Sequence, residues 1–218
     1  MIEAVIFDVD GTLVDSVDFH AESWERAFAR FGKDIAFQSL RAQIGKGGDQ
    51  LMPVFLDAAE LKRLGADIEA TRGELFKAEY LHRVKGFPAC RDLFSALRAR
   101  GLRIALASSA KSAELGAYKR AADIDGLTDV ETSSDDAEHS KPFPDIFATA
   151  LAKLGLPGDR ALVVGDTPYD AEAARKAGIG SVGVLCGGFA AEDIRAAGAH
   201  RIHRDPADLL AHLDDWLG

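Results

Sequence analysis

Apolar and polar positions along the chain fall into two regimes. Residues 4–7 form a short apolar run that predicts a buried strand and ends at Asp8. The next pattern is helical: Phe19, Ser23, Ala27 and Phe31 recur every four residues, Trp24 and Phe28 lie beside them, and Gly32 closes the helix. Helical pieces then continue to about residue 82, broken at Gly45-Lys46-Gly47-Gly48 and near Gly65, with no strand among them. Gly86-Phe87-Pro88 reads as a turn, and a helix through Leu93 and Leu97 stops at Arg100-Gly101.

Beyond that point strands and helices alternate. The pattern predicts strands at 103–107, 129–132, 161–165, 181–185 and 201–203. Helices are predicted at 111–122, 143–154, 168–177, 190–197 and 206–216. Strands parted by helix-length segments mean βαβ units and a parallel sheet. About eighty mostly helical residues part the first strand from the second, too many for one crossover. The expectation is an α/β fold: a doubly wound parallel core with a helical insertion just after its first strand.

Composition narrows the function without choosing it. The chain has 218 residues, 47% of them apolar, enough for one large core or a core with a smaller inserted domain. Its formal charge is −9, from 26 basic and 35 acidic residues, which disfavours non-specific nucleic-acid binding. A phosphorylated metabolite stays admissible, because a local metal can outweigh net charge. Cys90 and Cys186 form no C-x-x-C pair, so no zinc site or disulfide framework is indicated. Met1 leads straight into the first strand, leaving no room for a signal peptide, and no apolar run approaches membrane-spanning length. The expectation is a soluble cytoplasmic protein, monomer or homodimer, with no membrane partner.

Ligands of doubly wound sheets bind beyond the carboxyl ends of the strands. The first predicted strand ends at Asp8 and Asp10, whose side chains point the same way while the chain stays extended. The second ends at Ser108-Ser109, the third leads to Ser140-Lys141-Pro142, and the fourth ends at Gly165-Asp166-Thr167 with Asp170 one turn on. Singly, each has a plainer account. Ser108 can cap a helix, Lys141 can be a surface lysine, and Asp166 and Asp170 can complement a helix dipole. Together they bring acids, a hydroxyl and an amine to one rim.

Phosphoryl transfer asks for that set: a nucleophile, a proton donor and positive charge around the transferring oxygens. Asp8, nearest the strand, would attack phosphorus. Asp10 would protonate the leaving oxygen and later take a proton from water. Ser108 would hydrogen-bond a phosphoryl oxygen, Lys141 would offset charge, and Asp166 with Asp170 would complete a metal site with Asp8. Two close carboxylates need a proton or cation between them, and hard oxygen ligands suit Mg²⁺.

On these motifs the chain resembles the haloacid dehalogenase-like hydrolases, in their phosphatase branch with a helical cap. The motifs are Asp8-Val9-Asp10-Gly11-Thr12, Ser108 after its strand, Lys141 before Pro142, and Gly165-Asp166-Thr167-Pro168-Tyr169-Asp170. The resemblance implies a Rossmann-like core over 1–15 and 83–218 and a cap over 16–82 that closes on the site. It also implies Mg²⁺ held by the Asp8 carboxylate, the Asp10 backbone carbonyl and Asp166. Asp10 argues against dehalogenase members, which lack an acid there.

Substrate choice is then expected in the cap, whose polar candidates are His20, Trp24, Lys46 and the glycines around Lys46; Ser109 is a further candidate on the core side. The glycine-rich stretch lacks the lysine–hydroxyl pair and preceding strand of a nucleotide-binding P-loop. It is either a turn bringing Lys46 over substrate or a plain helix–helix turn. His20 resembles the histidine that β-phosphoglucomutases carry there, though it can equally be an ordinary half-buried histidine. Gly48 stands where those enzymes tend to place a phosphate-binding arginine, and the fourth motif lacks their Glu-Asp. Lys46 is a thin candidate for the Schiff-base lysine of a phosphonate hydrolase. His200 and His203 are expected on the surface, facing opposite ways, and the loop from Cys186 to Phe189 at the rim's outskirts.

The reading is a Mg²⁺-dependent phosphatase of a small phosphorylated metabolite, phosphoglycolate- or sugar-phosphate-like, acting through a phosphoaspartate. The alternatives are a phosphomutase on the same site and a non-catalytic metal- or phosphate-binding module. Pure binding, however, has no need of Asp10.

Overall fold

The computed structural model describes residues 1–217. Its centre is a six-stranded sheet of β1 (Ala4–Phe7), β4 (Arg103–Ala107), β5 (Val130–Thr132), β6 (Ala161–Gly165), β7 (Gly180–Val184) and β8 (Arg201–His203). The order is β5-β4-β1-β6-β7-β8 and every pairing is parallel. β1 is therefore central, with the order reversing beside it, so the carboxyl ends of β1, β4 and β6 open onto a shared crevice.

Strand alternation divides the core into two layers. Val5 and Phe7 of β1 pack on one face with Ile104, Leu106 and Val164, under α5 (Cys90–Ala99), α6 (Ser112–Ala121) and the C-terminal helices α10 (Pro206–Ala211) and α11 (Leu213–Leu217). Ala4 and Ile6 pack on the other with Ala105 and Val163, under α7 (Asp145–Leu154) and α8 (Pro168–Lys176). α9 (Ala191–Ala197) covers a smaller cluster near the β8 edge. A parallel sheet covered on both faces explains why β1 and β6 are apolar without alternating.

Between β1 and α5 the chain leaves the core through a two-stranded antiparallel ribbon, β2 (Val14–Asp15) with β3 (Lys85–Gly86). The intervening segment is helical: α1 (Val17–Arg30), α2 (Phe37–Arg41), α3 (Gly48–Leu51) and α4 (Ala58–Leu75), with short 3₁₀ and π turns. It has its own apolar cluster around Trp24, Phe28, Leu40, Leu51 and Ile68. Asp57 and Glu60 form a capping box that starts α4, and Gly32, at φ +73°, ends the turn after α1. Among the described residues no helix is long and apolar enough to cross a membrane.

Several sequence expectations change here. The buried face of α1 includes Ser23, Trp24, Ala27 and Phe28 as expected, and adds Val17, His20 and Ala21, whereas Phe19 and Phe31 are only partly buried. α4 runs through Gly65, which is buried where a side chain would crowd Leu61. Glycine there serves packing instead of breaking the helix. Gly86 belongs to the ribbon and lies against the backbone of Ala121 and Ala122, an approach only glycine permits. The last helix breaks at His212 into α10 and α11.

Candidate active site

β1 delivers Asp8 to the rim, and the Asp8 amide still continues the ladder onto the Val164 carbonyl at 2.8 Å. The chain then reverses. The amides of Thr12, Leu13 and Val14 all point at the Val9 carbonyl, and Gly11 sits at φ +80°. That turn places the Thr12 hydroxyl between two acids, 2.9 Å from Asp166 Oδ1 and 3.2 Å from Asp8 Oδ2. A Cβ at Gly11 would overlap the Asp166 carboxylate, so the close approach of β1 and β6 loops depends on glycine.

Lys141 reaches this group from the loop before α7. Fully buried, its Nζ lies 2.5 Å from Asp8 Oδ1, 2.7 Å from Asp170 Oδ1 and 3.3 Å from the Ala107 carbonyl. Burial alone would lower its pKa, but the charges of Asp170 and Asp8 more than reverse that and keep the ammonium charged. Asp170 also accepts from the Thr167 amide and hydroxyl through Oδ2, closing the capping box of α8. Both Asp170 oxygens are thus engaged. Thr167, not Asp166 or Asp170, is the N-cap.

Asp8, Asp166 and Asp170 each offer an oxygen, all within 4.8 Å of one another. Burial, with Asp170 and Asp10 nearby, lifts Asp8 to about 7 against the pull of Lys141. Burial and the charges of Asp8 and Asp170 push Asp166 well above the usual carboxylate range. Asp166 Oδ2 is buried with no hydrogen-bond partner, and Gly187 packs so closely that a Cβ there would overlap it. Crowded carboxylates, one lysine and an orphaned oxygen make a donor set that fits a hard divalent cation.

Asp10 sits in a separate network. His20 Nε2 lies 2.8 Å and Ser16 Oγ 2.6 Å from Asp10 Oδ1, with Ser108 Oγ at 3.4 Å from Oδ2. Arg72 Nη2 is 3.3 Å from His20 Nδ1. A guanidinium can only donate, so Nδ1 accepts and the ring proton lies on Nε2, facing Asp10. The Tyr118 hydroxyl is 3.2 Å from the same Nε2. Burial opposes ionisation of Asp10, but its interactions with His20, the hydrogen bond from Ser16 and the Arg72 charge prevail and hold its pKa below the usual value. Ser108 does not cap α6; its Oγ accepts from the Ala110 amide at 3.0 Å in a tight turn before the helix.

The helical segment closes over these groups and leaves a cavity of about 600 Å³, whose walls include Asp8, Asp10, His20, Lys46 and Lys141. The loop carrying Lys46 is pinned to the core. Gly47 donates to Ser140 Oγ at 2.9 Å, Asp49 accepts from the Ser140 amide at 3.1 Å, and Ser109 Oγ reaches the Gly45 carbonyl at 3.3 Å. Lys46 donates to Gln43 at 2.6 Å and lies over the Tyr169 ring, on the cavity wall.

The structure brings together the strand-end residues and adds neighbours that sequence reasoning missed: Arg72, Tyr118 and Glu114. The loop from Cys186 is not peripheral. Its Gly187 abuts Asp166, and Cys186 Sγ lies 3.2 Å from the Gly11 carbonyl. His203 is buried, not surface, and faces Asp208 at 3.4 Å, because α10 folds back over the end of β8. Two adjacent glycines, Gly187 and Gly188, were the available signal for a close approach near Asp166.

Comparison with known proteins agrees with this architecture. A family model described as haloacid dehalogenase-like hydrolase matches residues 2–178. A phosphoglycolate phosphatase of Rhodospirillum rubrum is 32% identical over 229 aligned positions, covering 100% of this chain and 92% of the relative. A phosphorylated carbohydrates phosphatase of Thermotoga maritima is 28% identical over 178 positions, 82% of each chain. The crystal structure of a hydrolase from Pseudomonas syringae superposes with a TM-score of 0.88 at 29% identity, covering 98% of this chain and 99% of that one.

Proposed function

Since the chain belongs to the haloacid dehalogenase-like hydrolase family and is a phosphatase of phosphorylated small molecules, we propose that it works through a phosphoaspartate on Asp8 with Mg²⁺ as cofactor. Asp8 and Asp166, with the Asp10 backbone carbonyl, would hold the cation. Asp170 would complete this acidic group and hold Lys141, whose Nζ lies 2.7 Å from its Oδ1. When bound, the cation supplies positive charge between the carboxylates and the phosphoryl oxygens, which lets Asp8 be ionised and near phosphate at once.

In the first step a carboxylate oxygen of Asp8 bonds to phosphorus as the bond to the leaving oxygen breaks. Asp10, protonated at this step, gives that oxygen its proton and is left as the carboxylate that the hydrogen bonds from His20 Nε2 and Ser16 favour. In the second, Asp10 takes a proton from a water whose oxygen attacks phosphorus, freeing inorganic phosphate and regenerating Asp8. Lys141 and Ser108 would bear on the phosphoryl oxygens. The observation that carries this reading is the Lys141–Asp8 pair at 2.5 Å beside the unpartnered Asp166 oxygen, a site charged for a dianion only if a cation joins it.

The test is hydrolysis of 4-nitrophenyl phosphate. Asp8→Asn should cut turnover by about 10³-fold or more while leaving the fold intact, and chelation should abolish wild-type turnover until Mg²⁺ is restored. Near-wild-type turnover by Asp8→Asn would overturn it. A phosphomutase would share the first step; it is told apart by interconversion of two sugar monophosphates without net phosphate release.

A further inference from the structure

The first turn of α6 carries a carboxylate that the reaction above does not use. Glu114 is 5% exposed and lines the same cavity as Asp8 and Asp10. Its Oε2 is buried without a hydrogen-bond partner, and among the described residues no lysine, arginine or histidine lies within ion-pair distance of it. Tyr118, one turn further along the same helix face, touches His20. Glu114 therefore faces the reacting end of the cavity. A carboxylate in the first turn also complements the helix dipole, but that role needs neither burial nor an oxygen left without a partner beside a cavity.

The cavity wall also carries the complement. Arg72, on α4, lines the cavity, and its Nε is likewise buried and unpartnered. Arg72 and Glu114 are not paired with each other. One unpartnered acceptor and one unpartnered donor, on residues that line the same cavity, cost free energy unless something bound there satisfies both. The rest of the wall is mixed in sign, with Lys46 and Lys77 against Glu69 and Glu74.

Resting on the phosphatase reading above, we propose that Glu114 is a specificity-determining residue that accepts a hydrogen bond from a hydroxyl of the substrate's carbon chain. Arg72 donates to an oxygen further along that chain. The substrate class is then a polyhydroxylated phosphomonoester, a sugar or polyol phosphate. A second carboxylate, as in 2-phosphoglycolate, would meet the Glu114 charge. An ammonium would meet Arg72 and Lys77. A neutral, hydroxyl-bearing chain satisfies both walls, and a cavity of about 600 Å³ has room for it.

The experiment measures kcat and KM for sorbitol 6-phosphate, ribose 5-phosphate, 2-phosphoglycolate, O-phosphoethanolamine and 4-nitrophenyl phosphate with Mg²⁺ present. The expected result is that a polyhydroxy phosphate exceeds both 2-phosphoglycolate and O-phosphoethanolamine at least tenfold in kcat/KM. Glu114→Gln and Glu114→Ala should lower the ratio of polyhydroxy to aryl phosphate at least fivefold, mainly through KM, because a site built around a substrate hydroxyl penalises loss of that bond. A preference for 2-phosphoglycolate or O-phosphoethanolamine overturns the proposal, as does an unchanged ratio in both variants. A protein that hydrolyses none of the five, 4-nitrophenyl phosphate included, fails the phosphatase reading instead.

Discussion

Asp8 combines two opposed demands: Lys141 stabilises its ionised form while burial resists it, and the balance lifts it to about 7. For a carboxyl raised above its ordinary 3.8, the metal-free folded chain keeps a proton that the unfolded chain has released. Its contribution therefore falls as pH rises from about 4 to about 7, and the loss is complete above that. A cation reverses the sign, since it binds the ionised carboxylates. In chelator, the wild-type melting temperature should drop more between about pH 5 and pH 8 than that of Asp8→Asn. Millimolar Mg²⁺ should restore wild type at the higher pH and do little at the lower. Equal slopes in the two proteins, followed by differential scanning fluorimetry, would show that Asp8 carries no such strain. At this scale the sequence was informative where a residue stands at a strand end, as for Asp8, Ser108 and Asp166. It was silent on Arg72 and Glu114. Both sit on helices where a charged residue ordinarily meets water, and only the tertiary fold brings α4 and α6 to one cavity.

The loop between α2 and α3 is the element that joins cap to core. It is held by side chains and carbonyls of different loops: Ser140 between Gly47 and Asp49, the Tyr169 hydroxyl on the Ala42 carbonyl at 2.7 Å, and Arg41 on the Gly187 carbonyl at 3.1 Å. Burial works against ionisation of Asp49, yet the bonds from Ser140 and Gln50 outweigh it and hold its pKa low, so the clasp stays charged. Asp49→Ala removes the acceptor that orders Ser140. The expected outcome is a rise in KM of roughly 5- to 10-fold, about 1 kcal/mol, and faster proteolytic nicking within residues 41–49. Unchanged KM and nicking would mean that the clasp does not hold the loop. Glycines made this loop visible in the sequence, but not what it grips, because Ser140 lies some ninety residues away. The β2–β3 ribbon was missed for a related reason: two residues per strand carry no period. The break between α10 and α11 was missed because the apolar spacing continues across His212 while its backbone does not.

Across the whole molecule, two apolar layers clamp the sheet, and a third cluster lies wholly within the helical insertion. The parallel core was legible because buried strands separated by helices leave few other topologies. The insertion was legible only as helices, since their mutual packing is set by side chains distant in sequence. Separate clusters imply separate cooperative units joined by a thin ribbon. Phe28 is fully buried in the insertion's cluster, whereas Phe94 is fully buried in the core with its ring centroid 4.7 Å from that of Phe7, the residue before Asp8. Replacing either by alanine costs about 3–5 kcal/mol where it is felt. Phe28→Ala should therefore lose amide-exchange protection across residues 17–75 while β1, β4 and β6 keep theirs, with activity falling because the cavity loses its roof. Phe94→Ala should lower protection throughout and shift the global melting transition. Hydrogen exchange read by mass spectrometry separates the two patterns. If Phe28→Ala instead depresses the sheet as deeply as Phe94→Ala does, cap and core unfold as one body, and the ribbon transmits stability as well as position.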